Sequence, residues 1–256
     1  MEYLLILFLF IFGGLVGMFV NYMADVLPWR RKFVKPFCLN CQANFSWLNY
    51  FIIPRKCSSC GQIRLPRTWL VEILYGLITV GLLYYHPVRL GFLGGLFVIG
   101  YFGVVVIIDI EHRLILHPVS IFGAVSGLVI GIYLHGLLST LIGGLVGFGS
   151  MFFLYFLGDL LIKLISEARG EVIDDVALGF GDVNLSGVLG LILGFPGIIL
   201  GLFLAILAGG LVSLVYLLIM LSLKRYQMFT ALPYGPFLIA GAVLLLFFSD
   251  LLMKLV

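Results

Sequence analysis

Apolar residues run almost unbroken for stretches of about twenty positions, and the breaks between them are short and rich in glycine, proline or basic residues. Each stretch reaches or approaches the roughly 18 to 20 residues that cross a bilayer as a helix. With Gly, Pro and charge clusters taken as boundaries, the first spans fall near Tyr3–Val26, Trp69–Tyr85 and Gly91–Ile108. Val119–Leu134 and Leu137–Ile165 follow. The block Val183–Leu223 is too long for one crossing and is broken at Phe195-Pro196-Gly197, where proline forbids ordinary helix continuation, so it divides into a short span and a long one. A last span is expected near Leu232–Leu252. The pattern therefore predicts an all-α polytopic membrane protein of about eight transmembrane helices. Tyr3–Val20 lacks the basic leading region and small-residue cleavage site of a signal peptide, so it is expected to stay as a span.

Composition agrees: 62% of the 256 residues are hydrophobic and 11% charged, against roughly half and a quarter in soluble domains. A water-soluble fold could not hide so much apolar surface. The formal charge of +3 gives no nucleic-acid signal, but the placement of the basic residues is informative. Arg30, Arg31, Lys32, Lys35, Arg55, Lys56, Arg64 and Arg67 crowd the loop Pro28–Arg67, and alternating spans put Arg113, Lys163, Arg169, Lys224 and Arg225 on the same side. Only Arg89 and Lys254 fall opposite. Basic residues near span ends stay cytoplasmic, so this face is expected in the cytoplasm and both termini outside it.

All four cysteines lie in that basic loop, as Cys38-Leu39-Asn40-Cys41 and Cys57-Ser58-Ser59-Cys60, with fifteen residues between the pairs. Two CxxC knuckles at this spacing predict a structural zinc site closed by four thiolates, with no open position for catalysis. Structural disulfides would need an oxidising compartment and a redox pair a thioredoxin-like setting; the basic loop argues for the reducing side. Three parts are expected: residues 1–27 as the first transmembrane helix, 28–68 as a cytoplasmic zinc-binding loop, and 69–256 as a membrane-embedded domain of about seven helices. No internal repeat is evident.

Twelve acidic residues are few enough to weigh singly. Glu2, Asp25, Asp159 and Asp250 sit near predicted interfaces where a carboxylate stays hydrated, and Glu167, Glu171, Asp174 and Asp175 read as a solvated loop. Asp109, after Val104-Val105-Val106-Ile107-Ile108, and Asp182, closing Gly179-Phe180-Gly181-Asp182, fall at the same membrane boundary. A carboxylate held in a membrane marks function by default, with a partner to be named. Here each names the other: two facing carboxylates share a proton, the ionised one activating water while its partner protonates the scissile carbonyl. Gly179 and Gly181 would admit a substrate backbone closely. The alternative is two helix-end residues paired with Arg113, Lys163 or lipid headgroups.

Among the histidines, His86 and His135 fall on the opposite face, while His112 and His117 flank the Asp109 segment and read as hydrated helix ends. Trp29, Trp47 and Trp69 suit an aromatic belt at headgroup level. No Walker loop, HExxH, GxSxG or dinucleotide fingerprint occurs, which disfavours ATP hydrolysis, zinc proteases and serine hydrolases.

Taken in order, these segments resemble the bacterial type IV prepilin peptidases. Gly17-Met18-Phe19-Val20-Asn21 resembles the family's GSFLN signature, followed by the two CxxC pairs and Val71-Glu72. Asp109-Ile110-Glu111-His112-Arg113 and Gly179-Phe180-Gly181-Asp182 resemble its two catalytic aspartate motifs, and Pro233-Tyr234-Gly235-Pro236-Phe237 its last turn. The resemblance implies cleavage of a basic leader from type IV pilin-like or pseudopilin precursors after a glycine, at the cytoplasmic face of the bacterial inner membrane. It also implies N-methylation of the new terminus from S-adenosylmethionine by the cysteine loop, with donor-contacting residues unassigned. The chain departs from the pattern in a short stretch between the cysteine pairs, in Pro54-Arg55-Lys56-Cys57 without the usual glycine, in Asn184 for a frequent lysine and in Leu116 for a frequent proline. Two other classes fit parts of the pattern: a non-catalytic scaffold whose zinc loop docks a partner, and a proton-coupled transporter, which would want its carboxylates near the bilayer midplane.

Overall fold

The computed structural model describes the chain except residues 1, 53–54, 65, 86, 88, 170–177, 224–232 and 253–256. Glu171, Asp174, Asp175, His86, Lys224, Arg225 and Lys254 lie outside the described residues.

Within lipid, a chain segment must satisfy its own backbone polar groups, and the long apolar runs do so as helices. They are α1 (Glu2–Arg30), α3 (Arg67–Tyr84), α4 (Gly91–His112), α5 (His117–His135), α6 (Leu137–Arg169), α7 (Phe180–Leu193), α8 (Gly197–Ser222) and α9 (Gly235–Leu252). A five-residue helix, α2 (Trp47–Phe51), interrupts the first loop. Among the described residues, six of these helices are long and apolar enough to cross a membrane; α7 and the Gly235–Phe248 part of α9 are shorter apolar helices. The expected division of the 183–223 block occurs where expected, with α7 ending before Phe195 and α8 beginning at Gly197. The chain divides into two compact units, Met1–Ile108 and Asp109–Val256.

In the first unit α1 packs along α3. Gly17 makes this possible, because a Cβ there would lie 2.8 Å from the Glu72 backbone; small residues let membrane helices approach to backbone contact. One turn on, buried Asn21 donates its side-chain amide to the Thr68 carbonyl at 3.0 Å, tying α1 to the start of α3.

The cysteine segment folds as two knuckles of one design. Phe37 pairs with Asn44 in an antiparallel bridge, and Lys56 pairs with Ile63 in the same way. Within each, the first cysteine's N–H donates across the turn (Cys38 to Ala43 and Cys57 to Gln62) and its carbonyl accepts from Gln42 or Gly61. Gln42 and Gly61 share positive φ, 61° and 71°. The loop thus repeats one backbone design around each of the two CxxC pairs.

The second unit is built around α7, most of which is buried. α6 lies against it at backbone distance: a Cβ on either Gly143 or Gly190 would overlap the other glycine's carbonyl. Ser139 of α6 closes the far end of α7 by donating its hydroxyl to the Phe195 carbonyl at 2.8 Å and accepting the Phe195 N–H at 3.1 Å. α8 and α9 pack together, and α9 also contacts α7.

Candidate active site and metal centre

Asp109 lies in the last turn of α4, which runs past the end expected at Ile108. The helix stops because Arg113 turns left-handed (φ 53°) and returns its N–H to the Asp109 carbonyl at 2.8 Å, a helix ending that glycine usually supplies. Asp182 sits in the first turn of α7, with Gly179 as the N-cap residue and a 3.0 Å bond from the Asp182 N–H to the Gly179 carbonyl. The expected start at Val183 is therefore three residues late. An acid is favoured in a first turn by the helix dipole. The Asp182 carboxyl folds back on the Gly179 backbone, its Oδ2 3.3 Å from where a Gly179 Cβ would stand.

Both carboxylates are buried, Asp109 5% and Asp182 9% exposed, and they lie within electrostatic reach of each other. The start of α9 approaches both. Gly235 donates its backbone N–H to Asp109 Oδ2 at 3.0 Å, and Tyr234 feels the charge of Asp182. A Cβ on Gly235 would stand 2.6 Å from the same carboxylate oxygen, so only glycine brings this amide so close. Among the described residues no ion pair involves either aspartate; Lys163 pairs instead with Asp159 at 2.8 Å on an exposed helix face. Gly181 packs on Ile115, whose Cβ would be 2.8 Å from a side chain there. Sequence reasoning quoted Tyr234 and Gly235 without giving them a role; the available signal was a glycine at the first turn of an apolar helix, where backbone N–H groups lack helical partners.

In the first unit the four sulfurs lie within 4.8 Å of one another, with Cys38–Cys60 at 3.6 Å and Cys41–Cys57 at 3.5 Å. These separations exceed the roughly 2.05 Å of a disulfide and suit the edges of a tetrahedron about a metal with Zn–S near 2.3 Å, roughly 3.8 Å. The Cys60 and Ser59 N–H groups turn toward the Cys57 sulfur, a setting that favours a thiolate there. The donor set and its spacing fit a closed structural zinc site.

Asp25, expected to be merely hydrated, is instead a hub. It accepts from Tyr50 Oη at 2.6 Å and Arg64 at 2.7 Å, and also from Arg67. Burial, with the Asp25 charge adding to it, pushes the Tyr50 hydroxyl above its ordinary range, so it remains a donor. Glu72 is buried against Arg55 at 2.8 Å, and that guanidinium lies 3.9 Å above the Trp69 ring. Trp47 stacks on Phe51 and meets Tyr22.

These features define a helical membrane protein that presents two buried helix-end carboxylates and a four-thiolate module. The type IV leader peptidase family matches residues 96–214, which include both aspartates. The bacterial peptidase A24 N-terminal domain matches residues 11–86, which include all four cysteines. The chain belongs to the type IV leader peptidase family. Among its relatives are proteins named prepilin leader peptidase/N-methyltransferase from three organisms. The Myxococcus xanthus protein is 25% identical over 82% of this chain and 63% of its own length. The Pseudomonas putida protein is 28% identical over 81% and 68%, and the Stutzerimonas stutzeri protein 25% over 92% and 88%. The chain thus spans less than two thirds of the Myxococcus relative. No solved structure matches the chain.

Proposed function

We propose that the chain is an aspartic endopeptidase of the inner membrane that removes the basic leader of type IV pilin-like precursors after a glycine, at the cytoplasmic face. What supports this reading is that Asp109 and Asp182 are both buried at helix ends, that the Gly235 N–H holds the Asp109 carboxylate at 3.0 Å, and that among the described residues no ion pair involves either. One carboxylate is ionised and takes a proton from water as it attacks the scissile carbonyl; the other, protonated, donates to the carbonyl oxygen. Collapse of the tetrahedral intermediate breaks the C–N bond, and the leaving amine takes up a proton. The basic clusters around the first loop favour the cytoplasmic side, and the precursor's apolar helix would reach the site laterally from lipid. Gly179 belongs to this site through the carboxyl that folds over it, and Gly181 through its packing on Ile115 beneath the same turn.

The relatives' second activity supports N-methylation of the newly exposed amine. S-adenosylmethionine, when bound, supplies an electrophilic methyl group that this amine attacks, leaving S-adenosylhomocysteine and a proton. Zinc at Cys38, Cys41, Cys57 and Cys60 would hold the first-unit loop in shape and take no part in the transfer.

Purified protein in detergent, incubated with a pilin-like precursor, tests the peptidase. Asp109→Asn and Asp182→Asn are each expected to lower cleavage at least a thousandfold while keeping the wild-type melting profile. Full cleavage by either variant removes the mechanism. Proton-dependent transport lost in both variants with cleavage never detected would support the transporter, and assembly defects without either activity the scaffold.

A further inference from the structure

A groove of about 460 Å³ opens in the second unit along one face of α7. α5 and α6 form its walls and α7 its floor. Each helix lines it at positions three and four apart, from His117 to Ala124 on α5, from Leu141 to Phe148 on α6 and from Phe180 to Leu191 on α7, which is the spacing of a single helix face. From Phe180 to Leu191 the floor runs about 16 Å, three turns of helix. We infer that this groove docks the apolar helix of the precursor, the segment that follows the scissile bond. The inference rests on the peptidase reading above and gives that reading's substrate a place on the chain.

Two observations favour a substrate helix over lipid. The first is that the groove is not wholly apolar. The Ser120 hydroxyl is buried in its wall and has no hydrogen-bond partner among the described residues. Ser126, Thr140, Ser150 and Ser222, by contrast, each return their hydroxyl to the carbonyl four residues back. Asn184 adds an amide on the floor. Hydrocarbon offers these groups no bond, whereas a helix laid alongside does, and such interhelical bonds help to hold membrane helices together.

The second observation is where the groove ends. Phe180, the first floor residue, lies edge-on to Phe148 and Tyr155 of α6 and is flanked by Gly179 and Gly181. Asp182 follows it by two residues, roughly 200° around the helix, so a chain lying in the groove must leave helical form and cross the first turn of α7 to reach the carboxyl. Gly179 leaves that crossing open. It is exposed, and its φ of −72° suits any residue, so its missing side chain serves space rather than conformation. Chain neighbours aside, the atom nearest to where its Cβ would stand is Asp182 Oδ2, at 3.3 Å. A backbone passing over Gly179 therefore meets the carboxyl that folds back on it. The stem is held as a helix on one side of α7, and the scissile bond is presented in extended form at its end.

The test uses the full chain in detergent with a pilin-like precursor. Benzoylphenylalanine is placed at Ile121 or Leu145, both exposed on the groove walls, and at Val129, exposed on α5 outside the groove, with Asp182→Asn to stop turnover. After illumination, Ile121 and Leu145 are expected to capture the precursor through its apolar helix at least tenfold more than Val129. Ala124→Phe, which narrows the groove from a half-buried position, is expected to raise KM at least tenfold with kcat and melting temperature unchanged, whereas Val129→Phe leaves all three as in wild type. Should Ala124→Phe fail to fold, the capture ratio alone decides. Cleavage by the wild-type chain, with capture at both walls no higher than at Val129, overturns the groove and leaves the peptidase reading intact. Capture at both walls with no cleavage by the wild-type chain overturns the peptidase reading alone, and absence of both overturns the two together.

Discussion

Gly235 offers the sharpest test of how the second unit holds its carboxylates. Its N–H donates to Asp109 Oδ2 at 3.0 Å, and a Cβ would stand 2.6 Å from that oxygen, nearly an ångström inside ordinary contact. Gly235→Ala must therefore push the carboxylate away or shift the first turn of α9, and either movement breaks the bond. A hydrogen bond to a charged group contributes about 1.5–3 kcal/mol. At about 1.4 kcal/mol per tenfold in rate, its loss from the reacting geometry predicts a kcat lowered about 10- to 150-fold. The assay is steady-state cleavage of a pilin-like precursor by purified protein, with far-UV circular dichroism and the melting temperature confirming the fold. Gly149→Ala and Gly210→Ala are controls, because a Cβ at either position meets nothing within 4 Å; both are expected within twofold of wild type. A folded Gly235→Ala protein cleaving at the wild-type rate would refute the argument that this amide positions Asp109.

Breaking the buried Arg55–Glu72 pair from one side leaves a charge without its partner, so Glu72→Gln is expected to lower stability by about 3–5 kcal/mol in denaturant titrations. The double change Arg55→Met with Glu72→Leu is expected to recover most of that, and equal losses in both would contradict it. Chelation should release one zinc per chain by atomic emission and expose the thiols to alkylation together with a change in Trp47 emission, since the metal closes the loop in which Trp47 packs; metal loss without exposure of the thiols would count against a structural role. Gly190→Ala drives a methyl into the Gly143 carbonyl and is expected to cost about 1–3 kcal/mol in the same titrations, whereas no loss would mean that α6 and α7 part easily.

The helical runs were legible because lipid imposes one requirement along their whole length: apolar side chains outside and backbone bonds within. Ends were less legible where polar residues join a helix. α4 carries Asp109-Ile110-Glu111-His112 beyond its apolar run, and α7 recruits Phe180-Gly181-Asp182 ahead of its own. The aspartates could be picked out because charge in an apolar context is costly, and the cysteines because their spacing repeats. Gly235 could not be given its role, since its contribution is a backbone N–H brought to Asp109 by folding. Asp25 was misread for a related reason: Tyr50, Arg64 and Arg67 are distant in sequence and converge only in the folded unit.

A difference in side chains divides labour between the knuckles. Where the first has Pro36 and buried Phe45, joined by the bond from the Phe45 N–H to the Pro36 carbonyl, the second has Arg55 and Arg64 joined by the corresponding bond. One half inserts grease and the other extends two arms, Arg55 to an acid of α3 and Arg64 to an acid of α1. The metal thereby works as a rivet through a clasp whose charged leaf spans two helices.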